Sequence, residues 1–291
     1  MPELPPVLFR DARFVVLDKP AGLPVHPGPR GGASVEDWFP MLSRRKDGPW
    51  LAHRLDADTS GCLVVALRRA ALLEAQTAFS RGFARKTYWA VVHGAPAEAA
   101  GTIATKLLRV STPAGWRMVP GPGGKPAETA WRLRGRDRDI GWLELFPRTG
   151  RTHQVRVHCA LLGCPVLGDP IYGGGGDTGG GDTGEGGRGD AGGGGRDAGE
   201  GNRGGDALHG DRPAGGNRGD GIRGLGEPGA GYRGCGDRGG ADVRLHLMAR
   251  AIELPLSPPV AAAAEPPAHM RAALVRCGWD PDAARDLGRN R

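Results

Sequence analysis

Over the first 150 residues apolar side chains fall at every second position or in short unbroken runs, a pattern that predicts strands. Val7-Leu-Phe-Arg10 and Phe14-Val-Val-Leu17 are two such runs, and the Asp11-Ala-Arg link between them predicts a hairpin. Cys62-Leu-Val-Val-Ala-Leu67, with its β-branched centre, reads as a buried strand. Lys86-Thr-Tyr-Trp-Ala-Val-Val92 is strand-like too, and a period of two places Lys86, Tyr88 and Ala90 on one face. Short strands are also predicted over 101–110, 115–119, 127–134 and 140–146. The Gly- and Pro-containing turns between them imply a largely antiparallel, meandering sheet.

Helical spacing appears in four places. Ser34-x-x-Asp37 before Trp38-Phe39 has the form of a capping box, and Pro40 is expected to kink or end the helix it opens. Residues 69–81 are rich in Ala, Leu, Glu and Gln, with Leu72, Leu73, Gln76 and Phe79 near helical spacing and Gly82 as a stop. From Thr152, the stripe Val155, Cys159, Leu162 predicts a helix of about three turns ended by Gly163 and Pro165. Arg156 lies off the centre of that stripe, on a side that can face a cleft. A terminal helix is predicted over 269–279. The segment Lys19 to Pro29 is too rich in proline to be regular and is expected to be a structured loop.

Residues 173–240 break the pattern: Gly fills 32 of 68 positions and Asp and Arg dominate the rest. With almost no apolar side chains such a segment cannot offset its ordering entropy, so a disordered, inert insertion is expected there. Its Gly-Asp-Thr echoes are too irregular for a calcium-binding array. Eight Arg against eight Asp and three Glu leave the insertion acidic, so the chain's net charge of +7 is carried by the remainder. That excess favours a polyanionic partner. The five cysteines, at 62, 159, 164, 235 and 277, contain no C-x-x-C pair and suggest neither a disulfide framework nor a zinc ribbon. No apolar run approaches the ~20 residues needed to span a bilayer, and the start of the chain lacks a signal-like core. A soluble cytoplasmic protein with no membrane association is expected.

Between the strand-like runs lies Leu51-Ala-His-Arg-Leu-Asp-Ala-Asp-Thr-Ser-Gly61, which puts Asp56 on a polar loop presented by rigid structure. Taken alone, Asp56 reads most simply as the side chain of an Asx-turn. A second dense stretch, Arg148-Thr-Gly-Arg-Thr-His-Gln-Val-Arg-Val-His158 running on to Gly173, changes that reading. With His53-Arg-Leu-Asp-x-x-Thr-Ser-Gly61, Arg85-Lys-Thr-Tyr-Trp-Ala-Val-Val-His-Gly94 and Val16-Leu-Asp-Lys-Pro-Ala-Gly-Leu-Pro-Val-His-Pro27, it closely resembles the RluA-type family of RNA pseudouridine synthases. Four blocks stand in that family's order. The resemblance resumes at Val243 to Ala249, a late strand leading to Glu253–Pro259, although the family usually has histidine where Met248 stands.

The resemblance implies an α+β catalytic domain with a central mixed, mostly antiparallel sheet flanked by helices, formed by 1–172 with 241–291. The chain enters this fold almost at once, leaving no room for the N-terminal RNA-binding domain many relatives carry. It implies isomerisation of uridine to pseudouridine in ribosomal or transfer RNA by a monomer without cofactor or metal, the target nucleotide being flipped out of its stack. Asp56 matches the catalytic aspartate, Tyr88 the tyrosine that stacks on the uracil, and Arg156 the basic residue that pairs with the aspartate. Arg54 matches the arginine that fills the vacated position, and His53, Lys86, Arg151 and Gln154 are the further substrate contacts expected. Lys19, Arg85, Lys86, Arg148 and Arg151 are candidates for phosphate contacts. His53, His153 and His158 lack the acidic or thiol companions of a metal site. Two other classes fit parts of the pattern: a non-catalytic RNA-binding or ribosome-assembly protein, and a hydrolase with a carboxylate nucleophile that releases free uracil.

Overall fold

The computed structural model describes residues 3–28, 31–113, 115–173 and 244–282. Apart from Gly173, the disordered insertion expected over 173–240 lies outside them, as do Cys235 and Val243.

Among the described residues eleven strands form one sheet. In chain order they are β1 (Val7–Arg10), β2 (Phe14–Lys19), β3 (Trp50–Leu51), β4 (Ser60–Ala66), β5 (Arg85–His93), β6 (Ala100–Thr112), β7 (Gly115–Pro120), β8 (Lys125–Asp137), β9 (Ile140–Pro147), β10 (Leu247–Leu254) and β11 (Val260–Ala263). Across the sheet the order is β1-β2-β4-β10-β5-β9-β8-β6-β7, with β3 on β4 and β11 on β10. Every pairing is antiparallel except β4 with β10, which is parallel. The sheet is therefore mixed and mostly antiparallel, as the sequence implies. The β1–β2 hairpin turns where Asp11 Oδ1 accepts the N–H groups of Arg13 and Phe14, at 2.7 and 2.6 Å.

Four helices cover the sheet: α1 (Phe39–Leu42), α2 (Arg69–Ser80), α3 (Gln154–Leu161) and α4 (Ala268–Arg276). Period-two alternation sends Trp89 and Val91 of β5 into one core, with Phe14, Val64, Trp142 and residues of α2 and α4. Ala90 and Val92 go to the opposite core with Val155 and Cys159 of α3, and Tyr88 packs beside them. The face assigned to Tyr88 from the sequence is thus the face that carries α3. Met248, at the usual histidine position, is fully buried in the first core, where it faces Trp89 across the β10–β5 ladder. The departure there is a matter of packing.

Three local expectations are corrected. Pro40 does not interrupt a helix: Val35–Trp38 is a 3-10 turn, and Pro40 sits in the first turn of the separate α1, where its missing N–H has no helical partner to lose. Asp37 Oδ2 does accept the Ser34 N–H at 3.0 Å, as a capping box requires. Leu73, grouped with Leu72 by near-helical spacing, is exposed, because the buried seam of α2 is Ala71, Leu72, Ala75 and Ala78, three of them alanines that let the helix lie close to the sheet. The third helix is shorter than three turns, since His153 takes left-handed backbone at φ 51 and starts the helix one residue later.

Candidate active site

The loop between β3 and β4 is pinned from beneath. Lys19 is fully buried at the end of β2, and its Nζ donates to the carbonyl oxygens of Pro20, Leu23 and Ala57 at 2.8, 2.7 and 2.7 Å. Burial pushes its pKa down to about 7 against the opposing pull of Asp58 and Asp56. A candidate phosphate contact is thus a clamp that fixes the residue after Asp56, because three carbonyls already take its hydrogens. His53 is fixed as well: its Nε2 accepts the Val64 N–H at 3.0 Å, and its ring lies against Phe79. Burial, with the Lys86 charge, pushes it down to about 4, so the imidazole is neutral and anchors the loop while lining the cleft. Beyond the loop, Gly61 has φ +102, and a Cβ placed there would come within 2.2 Å of the Ala249 carbonyl oxygen. Only glycine permits the β4–β10 approach at this point.

On this base the turn bond at Asp56 is made by the backbone, Thr59 N–H to Asp56 carbonyl at 3.1 Å. The carboxylate is left to line a cleft of about 680 Å³. Arg156 Nη1 and His153 Nε2 each stand 3.9 Å from Asp56 Oδ2. Tyr88 lines the same cleft, where burial and then the Asp56 charge hold its phenol above its ordinary range, keeping it protonated.

Arg156 is buried and its strongest partner is Asp169. Nε donates to Asp169 Oδ2 at 2.8 Å and Nη2 to Oδ1 at 2.7 Å, the planar fork that suits a carboxylate. Oδ1 also accepts the N–H groups of Ile171 and Tyr172 at 2.9 and 3.0 Å, while the Tyr172 ring lies beneath the guanidinium at 5.3 Å. Burial works against the Arg156 charge, but Asp169 and then Asp56 raise its pKa above the ordinary arginine value. Asp169 is missed by the sequence reading. It stands within the block that ends at Gly173, but nothing in a Gly-Asp-Pro turn signals a partner thirteen residues earlier.

All eight expected site residues line the one cleft, but they do different work there. Arg54 is exposed at its wall. Lys86 Nζ donates to the Thr149 carbonyl at 3.0 Å, and burial with the Arg151 charge lowers it to about 8. Arg151 Nε holds the Pro126 carbonyl at 2.9 Å. Gln154 is buried and fully engaged: its oxygen accepts from Thr149 Oγ1 and Arg151 N, and its nitrogen donates to Glu128 O and Thr129 Oγ1. It fixes the turn over 149–151, a correction to its expected role as a substrate contact. Arg148 lines the cleft while paired to Glu128 at 2.8 Å. Arg85 is exposed beside Glu253. His158 Nδ1 meets Thr129 Oγ1 at 2.9 Å in the interior. Among the described residues no group of three or more His, Cys, Asp or Glu side chains is arranged to hold a metal ion, and no helix is long and apolar enough to cross a membrane.

The cleft joins one carboxylate, Asp56, to the cations Arg54, Arg81, Lys86, Arg148, Arg151 and Arg156. A basic cleft of this kind attracts a polyanion, and its one lining acid is Asp56. The sequence model of the RNA pseudouridylate synthase family matches residues 13–161, and the chain belongs to that family. It is 43% identical over 156 residues to an uncharacterized RNA pseudouridine synthase of Zymomonas mobilis, a match covering 53% of this chain and 71% of that one. It is 33% identical over 153 residues to ribosomal large subunit pseudouridine synthase C of Buchnera aphidicola, covering 52% of this chain and 49% of that protein. A similar synthase of Synechocystis, 39% identical over 165 residues, is also matched over 49% of its length, so the chain spans about half of these two relatives. Among solved structures, human RNA pseudouridylate synthase domain containing 4 superposes with a TM-score of 0.61 at 24% identity, over 93% of this chain and 92% of that one, a likeness in fold.

Proposed function

We propose that this protein isomerises specific uridines to pseudouridine in ribosomal RNA, with Asp56 as the catalytic carboxylate. The observation that carries the reading is the lone carboxylate of Asp56 at the centre of a cleft whose other charged groups are all cationic. Such a cleft attracts a phosphate backbone while keeping a single acidic oxygen for the sugar.

The reaction breaks the N1–C1′ bond of uridine, turns the uracil and joins its C5 to C1′, and the proton that leaves C5 is balanced by one gained at N1. A carboxylate serves at the sugar by attack at C1′, by stabilising charge there, or by taking the 2′ proton. Each role needs an oxygen aimed at the ribose, which the pinned loop supplies. Tyr88, kept as a neutral phenol, offers its ring to the uracil, and its hydroxyl can relay the C5 proton by passing its own proton on toward N1. Arg156 supplies a fixed positive charge behind the carboxylate. Arg54 fits the position vacated by the flipped nucleotide, while Lys86 and Arg151 fit phosphate contacts at the rim. The catalytic domain, 1–172 with 241–291, contacts the RNA through this cleft and acts as a cytoplasmic monomer.

The large-subunit ribosomal synthase among the relatives favours ribosomal over transfer RNA. Pseudouridine-selective chemical labelling of ribosomal and transfer RNA, after incubation with wild-type protein and with Asp56→Asn, tests the reading. Wild type is expected to label ribosomal RNA, and Asp56→Asn to bind RNA without converting it. Turnover by Asp56→Asn would remove Asp56 from the mechanism, and release of free uracil would place the protein among the hydrolases.

A further inference from the structure

His153 is packed between two aromatic rings. Its ring stacks on Trp116 of the β6–β7 hairpin, centroids 4.9 Å apart and planes 24° apart, and the Arg109 guanidinium lies over Trp116 at 4.5 Å. Tyr172 meets the imidazole edge-on at 5.7 Å. These contacts hold a backbone at φ 51, a left-handed conformation disfavoured for a residue other than glycine.

The two imidazole nitrogens face different partners. Nδ1 is 3.0 Å from the Tyr172 hydroxyl, and that oxygen already accepts the Met118 N–H at 3.0 Å. With one lone pair so engaged, the hydroxyl hydrogen is placed to point at Nδ1 as its acceptor. An acceptor at Nδ1 sets the neutral ring as the Nε2–H tautomer. Nε2 in turn stands 3.9 Å from Asp56 Oδ2, the oxygen that Arg156 Nη1 also faces at 3.9 Å. The gap is roughly 1 Å longer than a hydrogen bond, and catalytic hydrogen bonds that are long without substrate commonly tighten with it.

The geometry points to His153 as a positioning residue for Asp56: its Nε2–H, with Arg156, takes Oδ2 and leaves Oδ1 to meet the ribose. This rests on the function proposed above. The chain Met118 N–H, Tyr172 O–H, His153 Nε2–H delivers a defined donor to one carboxylate oxygen, and the Arg109–Trp116 stack keeps the ring from turning.

Two measurements on the full chain test it. Nitrogen-15 NMR of the imidazoles, with the His153 signals assigned by their loss in His153→Gln, reads the tautomer without RNA. The Nε2–H form is expected; the Nδ1–H form overturns the inference. In the labelling assay His153→Leu and His153→Gln match the ring in size, and only Gln keeps a donor near Nε2. Leu is expected to lower kcat by about tenfold to a hundredfold with KM within about threefold, and Gln to recover most of it. Equal kcat in the two variants, or a change confined to KM, overturns the inference. A wild-type chain that converts no uridine would instead sink the proposed function, and the NMR result would still decide the tautomer.

Discussion

Arg156 gives two nitrogens to Asp169 and turns the third toward Asp56 at 3.9 Å, so the strongest ion pair of the site lies one step behind the carboxylate that faces the cleft. A buried pair of this kind is costly to halve, because the partner left behind is an uncompensated buried charge. Asp169→Asn is expected to lower the unfolding free energy by about 3–5 kcal/mol at pH 7, read by urea denaturation. Burial alone would raise the Asp169 pKa, but the hydrogen bonds and charge of Arg156 outweigh it, and the net value lies below the ordinary carboxylate range. The contribution is therefore complete above pH ~4, the unfolded value, and is lost as pH falls through the depressed folded value. The variant should show a flatter loss of stability with acid than wild type.

His53 sets a second pH dependence at milder acidity. Its folded value of about 4 lies below the unfolded ~6.5, so its contribution is complete above ~6.5 and is lost as pH falls through about 4. Protonation turns Nε2 into a donor facing the Val64 N–H that it must accept. His53→Gln keeps an acceptor and cannot titrate. The stability difference between wild type and His53→Gln is expected to shift against wild type between pH 6.5 and 4, and a constant difference over that range would count against this account.

Lys19→Met keeps the length of the side chain and deletes its three hydrogen bonds to Pro20, Leu23 and Ala57. These carbonyls are only partly buried, and each left without a donor costs up to ~1–3 kcal/mol where no water replaces the lost partner. A loss of at least about 2 kcal/mol is expected, together with reduced turnover, because Ala57 follows Asp56 directly. Thermal and urea unfolding read the first, the labelling assay the second.

Gly61→Ala tests the seat of the loop. The added methyl would meet the Ala249 backbone on a residue at φ +102, two penalties that a local side-chain shift cannot relieve. A loss of about 2–4 kcal/mol is expected, while Gly82→Ala, where the nearest atom lies at 3.9 Å, should cost less despite its positive φ.

Alternation and punctuation made most of this architecture legible in advance. Strand β5 showed in the sequence which way Tyr88 points, because a period of two assigns faces before any partner is known. Asp56, Tyr88 and Arg156 were found through motifs, and the cleft brings them together. What stayed hidden depends on contacts between distant segments. Asp169 carries no spacing cue toward Arg156, and Trp116 on an ordinary hairpin gives no sign that it stacks on His153. Lys19, His53 and Gln154 read as surface-seeking polar groups, and only burial turns each into an internal fastening. Leu73 was misassigned for the opposite reason: alanines, weak markers of amphipathicity, form the buried seam of α2.

The parallel pairing of β4 with β10 places Ala249 against Gly61, partners 188 positions apart along the chain. During synthesis the aspartate, tyrosine and arginine all leave the ribosome long before the strand that seats the first of them. Competence therefore waits on one late docking event across a large chain separation, the slow kind of contact to make. A nascent chain arrested before residue 247 would hold Asp56, Tyr88 and Arg156 and still lack the strand against which the Asp56 loop is seated.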